Sequence, residues 1–355
     1  MKNIQNYTFV DCDIYNQELY FFAEKELAFC KMDMRTFKVS YIESFEKQGA
    51  DVFLHKSVMV MVVENKLYSL DRGGRYLLIY DFLQDTYKNI EIGCNFESSA
   101  NFISMNRYKN SLLIFTKKQN LLVKVDCGSD KVSKKCILEE ESKNLNISCS
   151  CQTGDEVFLF QEETSEVIVY NVAKDNISKI KIDKMIIGCK DVKWQNGLFY
   201  ILCHDNAIVS WNLRTNEIKE ILADKNGEIE GGMLFVVNQY ICILPSKGND
   251  IYLYNIGLKK VERYKDYPQD FSYVVPGEWK KYIRFCKGKD KYYVAMRSSN
   301  YMLSINKSDG EIEWIRPNLP NDYLRLQKYR IMHKNILQES DFSLSLFLET
   351  ISNDN

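Results

Sequence analysis

Residues 189–222 read CKDVKWQNGLFYILCHDNAIVSWNLRTNEIKEIL, and this stretch decides the fold. Four short apolar segments, roughly 189–195, 198–203, 207–212 and 217–222, are separated by polar turns. Such short segments suit strands, and no convincing helical period interrupts them. The third segment ends in Trp211-Asn212. A short amide or carboxylate at that point accepts a hydrogen bond from a backbone N–H two residues on and starts a tight turn.

The same ending recurs along the chain. Residues 27–33 read LAFCKMD, 75–81 RYLLIYD, 120–126 NLLVKVD and 165–171 SEVIVYN. Then come AIVSWN at 207–212, DIYLYN at 250–255 and YMLSIN at 301–306. The seven anchors are Asp33, Asp81, Asp126, Asn171, Asn212, Asn255 and Asn306, separated by 41 to 51 residues. Before each lies an aromatic-rich strand, such as NQELYFF at 16–22 or QNGLFYI at 195–201, and before that another apolar segment. Each repeat therefore carries four strands, A to D. Repeats of about 40–45 residues with four strands are propeller blades. A lone blade cannot bury both faces, whereas seven arranged radially bury each face on a neighbour and leave only short edges. The expected fold is all-β: a seven-bladed β-propeller of four-stranded antiparallel blades over 1–320. Residues 321–355 form a C-terminal extension, expected to pack on the ring as a short helix or a strand, with the helix favoured.

The strand-C endings Trp211-Asn212, Tyr80-Asp81, Tyr170-Asn171 and Tyr254-Asn255 resemble the Trp-Asp ending of WD repeats. Asp309-Gly310-Glu311-Ile312-Glu313-Trp314 is similar to the docking element of quinoprotein-type propellers; it occurs once, so no quinone cofactor is implied. Gly73-Gly74 and Gly231-Gly232 resemble the glycine pairs of kelch repeats. These resemblances imply a propeller and do not select a subfamily.

Composition agrees. The 355 residues are 45% hydrophobic and 13% aromatic, enough for a large core of packed pleated surfaces. Lys and Arg total 47 against 48 Asp and Glu, so the bulk charge gives no cationic field for a nucleic acid. No run of apolar residues approaches membrane-spanning length. Eleven cysteines, an odd count, and the absence of an export signal at the start point to a reducing cytoplasm with free thiols. A monomeric ring is expected.

Polar residues on the A strands, which line a propeller's channel, are Asp11, Asp13, Asn106, Lys190, Asp191, Lys193 and Arg284. Facing inward, they would hold a small polar ligand. Cys149 and Cys151 share one strand face, but without a second pair or a nearby histidine they read as buried or channel-facing thiols. Cys203-His204-Asp205 falls in a B–C turn, where sequence neighbours rarely form a nucleophile–base–orienter arrangement. The longest connection between repeats, KDYPQDFSYVVPGEWKKY at 265–282, carries Tyr267, Phe271, Tyr273, Trp279 and Tyr282. Aromatic loop residues supply contact area at low entropic cost. This loop is the expected partner-binding lip. No phosphate-cradling loop or hydrolase motif is present. The expectation is a non-catalytic module for a protein or peptide partner, with no cofactor or metal. The alternative is a propeller enzyme, a lactonase-like hydrolase or a sugar lyase, with Asp11, Asp13 and Asp191 at the channel mouth.

Overall fold

In the computed structural model the described residues are 9–23, 28–42, 57–71, 74–93, 102–117, 120–137, 146–162, 164–186, 188–223, 229, 231–246, 250–272, 282–296 and 299–319. They form seven four-stranded antiparallel sheets, each built from four consecutive strands. The anticipated C-terminal segment 321–355 lies outside the described residues. The A strands are Phe9–Tyr15, Ser57–Val63, Phe102–Tyr108, Ile147–Thr153, Cys189–Gln195, Gly231–Val237 and Tyr282–Lys287. They pack beside one another at the centre, and the last lies beside the first. The molecule is a closed seven-bladed propeller.

The hydrophobic core is divided among the seven seams. Each of seven buried clusters draws its residues from two adjacent blades, including the cluster that joins blade 7 (Cys286, Ala295, Met302, Ile315) to blade 1 (Cys12, Phe21, Cys30, Met32). This follows from the strand period. Alternate residues of a B or C strand point to opposite faces, and both faces must be covered. In Phe158, Leu159 and Phe160, for example, the two phenylalanines enter the seam with blade 5 while Leu159 enters the seam with blade 3.

The anchors behave as turn chemistry requires. All seven side chains accept backbone N–H groups two or three residues ahead: Asp33 from Arg35 and Thr36, Asp81 from Leu83 and Gln84, Asp126 from Ser129, Asn171 from Lys174, Asn212 from Arg214 and Thr215, Asn255 from Leu258, and Asn306 from Ser308. Four residues after each anchor the backbone turns left-handed, at Phe37, Asp85, Asp130, Asp175, Asn216, Lys259 and Gly310. That conformation favours Gly, Asn and Asp. It also explains the aromatic residue before the anchor. Tyr80 Oη donates to Asp85 at 2.7 Å, Tyr170 Oη to Asp175 at 2.6 Å and Trp211 Nε1 to Asn216 at 3.1 Å. In blades 2, 4 and 5 the aromatic–Asp/Asn pair is thus a lock that ties the end of strand C to the far side of its own turn, whereas in blade 6 Tyr254 Oη donates to Ile221 O of blade 5 at 2.9 Å.

Each A strand carries one extra residue near its start, a bulge against strand B. In blade 6 the extra residue is Gly232, and a Cβ there would lie 2.6 Å from Ser246 Cα. Gly232→Ala is therefore expected to destabilise the chain by about 1–3 kcal/mol, because the obstacle is backbone rather than a flexible side chain. Chemical denaturation followed by circular dichroism measures it.

Candidate functional site

The bulge sets the same register positions in every blade. The first position after it holds Asp11, Met59, Ser104, Cys149, Asp191, Met233 and Arg284. Two residues on come Asp13, Met61, Asn106, Cys151, Lys193, Phe235 and Cys286. An A strand pairs with strand B on one edge only, so its other edge presents unpaired backbone N–H groups to the channel.

The channel carboxylates cap those groups. Asp11 accepts from its neighbour Cys12 at 2.9 Å and, with its other oxygen, from Val60 N–H of blade 2 at 2.9 Å. Asp13 repeats the arrangement with Ile14 at 2.9 Å and Val62 at 2.7 Å. Asp191 does the same between blades 5 and 6, accepting from Val192 at 2.9 Å and Leu234 at 2.8 Å. Lys193 Nζ lies 2.6 Å from Asp191 Oδ1 and sits over the Phe285 ring at 4.8 Å. All three carboxylates thus tie an A strand to the next blade. Two lie on the 1–2 seam and one on the 5–6 seam, so the structure does not bring them together.

Their electrostatics follow from burial. Asp11 is pushed up to about 7 by desolvation, against the opposing charge of Arg284 and the two N–H bonds. Asp13 is also raised by burial, against the N–H groups of Val62 and Ile14 and the charge of Arg107. Arg107 donates to Val62 O at 3.2 Å, so polar ties run on from blade 2 to blade 3. Ser150 Oγ then meets Ser104 Oγ at 2.7 Å between blades 3 and 4. Asn106 donates to Ser104 at 2.8 Å. Lys190, the bulge residue of blade 5, turns to Asn206 at 2.6 Å on the B–C turn.

Cys149 and Cys151 are partly buried against the 4–5 core. Cys151 is raised to about 11 by burial, although Lys193 and Lys287 oppose the shift. Cys203-His204-Asp205 does not converge: Cys203 is buried, His204 is exposed, and Asp205 caps Ala207 N–H at 3.1 Å. Among the described residues no group of three or more His, Cys, Asp or Glu side chains is placed to hold a metal ion.

The lip resolves into two parts. Tyr273 and Trp279 lie outside the described residues. Tyr282 is buried, 3% exposed, as the first residue of the blade 7 A strand, so it presents no surface to a partner. Tyr267 and Phe271 form a half-buried aromatic platform with Trp314 and Tyr301. Phe271 lies 4.8 Å from Trp314, Tyr267 5.3 Å from Trp314, and Tyr267 5.4 Å from Phe271. Tyr264 extends the group, accepting from Trp314 Nε1 at 3.3 Å. At the edge, exposed Asp270 accepts from Tyr301 Oη and from Arg316 Nη1, each at 2.7 Å. Its carboxyl is held below the usual range, chiefly by the Tyr301 hydroxyl. Buried Asn300 fixes the loop: it donates to Asp270 O at 2.7 Å and accepts from Ser272 N at 2.8 Å. Sequence reading missed Tyr301 and Trp314. They lie on other elements of blade 7, and only the folded blade brings them under the loop.

No protein-family model matches this chain, and no curated protein matches it in sequence. Solved structures show the fold. A catalytically inactive variant of virginiamycin B lyase from Staphylococcus aureus, with quinupristin, is similar at a TM-score of 0.60 and 10% identity, over 84% of this chain and 95% of that one. The computationally designed Ika8 protein is similar at 0.56 and 7%, over 87% of each chain. A chain of the mitotic checkpoint complex is similar at 0.54 and 11%, over 87% of this chain and 86% of that one. At these identities the likeness concerns the fold alone, and it spans an enzyme, a designed protein and a member of a multiprotein assembly.

Proposed function

We propose that this chain is a non-catalytic interaction ring that seats a protein or peptide partner on the aromatic rim of blade 7. The observation that carries this reading is the half-exposed platform of Tyr267, Phe271, Tyr301 and Trp314, bordered by Asp270 and Arg316. Rigid aromatic groups around an arginine are the residue types that dominate interface energies. The neighbouring charges would steer a partner of mixed charge into register. Ties from Asn300 hold the platform in one shape, which lowers the entropy lost on binding. The enzyme reading is weaker, because its three carboxylates are engaged by backbone N–H groups on two separate seams.

Selection of a displayed random peptide library on the full chain tests the proposal. Enriched peptides should bind Tyr301→Ala and Arg316→Glu at least tenfold more weakly than the wild type, with the unfolding midpoint nearly unchanged. Peptides that bind both variants as tightly as the wild type would overturn it.

A further inference from the structure

Among the described residues every blade is built from four consecutive strands, and the 7–1 seam holds through side chains and a short strap. The strap is visible on the outside. Asn318 forms a parallel bridge with Lys38, accepts from Val39 N at 2.9 Å and donates to Phe37 O at 2.7 Å, while Leu319 packs on the core cluster shared by blades 7 and 1. On the inside the seam carries Cys12 of the first A strand and Cys286 of the last. Their sulfurs are 3.6 Å apart although the residues are 274 positions apart. Both are buried free thiols, 3% and 4% exposed.

We propose that Cys12 and Cys286 are an oxidative cross-linking site, at which a peroxide converts the thiol pair into a disulfide that closes the ring covalently. One sulfur attacks the peroxide O–O bond and becomes a sulfenic acid, and the other peroxide oxygen leaves as water. The second sulfur displaces the sulfenic hydroxyl as a second water, forming the S–S bond. Two thiol protons and two electrons are thus transferred to the peroxide oxygens. The sulfurs are already in contact, so closure needs a movement of under 2 Å toward the roughly 2.05 Å bond length. Reaction is slow, since burial pushes the Cys286 thiol well above its ordinary range and the thiolate is the nucleophile. A small uncharged oxidant suits the closed seam. A disulfide spanning almost the whole ring would restrict the unfolded chain more than a short one does.

The full chain is incubated with hydrogen peroxide, quenched with catalase, alkylated and digested. The expected product is a Cys12–Cys286 cross-linked peptide pair, reversed by dithiothreitol and absent from Cys286→Ala. On a non-reducing gel the oxidised chain should run faster, and its thermal midpoint should rise by roughly 5–10 °C. Cys12→Ala supplies a second control should Cys286→Ala fold poorly. Oxidation of the exposed Cys136 without any Cys12–Cys286 cross-link would overturn the proposal. So would a cross-link that leaves the midpoint unchanged.

Discussion

Trp211→Ala is expected to remove about 3–5 kcal/mol of folding stability. Trp211 is wholly buried on strand C of blade 5, at the seam with blade 4. It stacks on Phe199 at 5.2 Å and meets the edges of Phe158 and Phe160 at 6.5 and 6.3 Å. Truncation leaves a cavity that three rigid rings cannot fill. It also strips Asn216 of its indole donor, although Asn216 still donates to Lys181 O of blade 4 at 3.1 Å. Trp211→Phe keeps most of the volume and loses the hydrogen bond, so about 1–2 kcal/mol is expected. Guanidinium unfolding followed by far-ultraviolet circular dichroism separates the two. Equal losses would mean that the turn lock, not the packing, carries the effect.

The second large effect is on pH dependence. Asp11 titrates near 7 in the fold and near 3.8 when exposed. The folded state therefore binds its proton more tightly than the unfolded chain. That contribution to stability is complete below about pH 4 and is lost as pH rises through 7. Asp13 shifts in the same direction. Carboxylates at the turns, Asp33, Asp126 and Asp175, are held low and titrate beneath this window. Stability should fall by about 2–3 kcal/mol between pH 5 and 8. Asp11→Asn should flatten most of that slope, since it cannot titrate. Denaturation midpoints across the range decide it. A wild type indifferent to pH, or a variant with the same slope, would contradict the burial of Asp11.

The blades were legible because turn chemistry is local. An Asp or Asn at the end of strand C needs only its own next three residues, so seven copies stand out at 41 to 51 residue spacings. The left-handed position four residues later is just as regular, but Phe37 and Lys259 occupy it in two blades and mask the Gly/Asn/Asp signal. Tyr282 reads as loop because its connection is long. Aligned with the buried Ile147 and Cys189, it is the residue before the bulge, and its burial follows. The acidic A-strand residues suggest a ligand when read singly. Their role as caps emerges only with the knowledge that an innermost strand has no partner on its channel side. The Cys12–Cys286 contact could not be read from spacing, because it exists only once the ring has closed.

Asp11, Asp13 and Asp191 hold blades together, and the proposed binding takes place on the rim of blade 7. Amide hydrogen exchange of the full chain, alone and with a selected peptide, tests it most directly. New protection is expected over 264–272 and 299–316, with the A strands of blades 1 and 5 unchanged. Protection confined to Phe9–Tyr15 and Cys189–Gln195, with the rim exchanging as before, would contradict it.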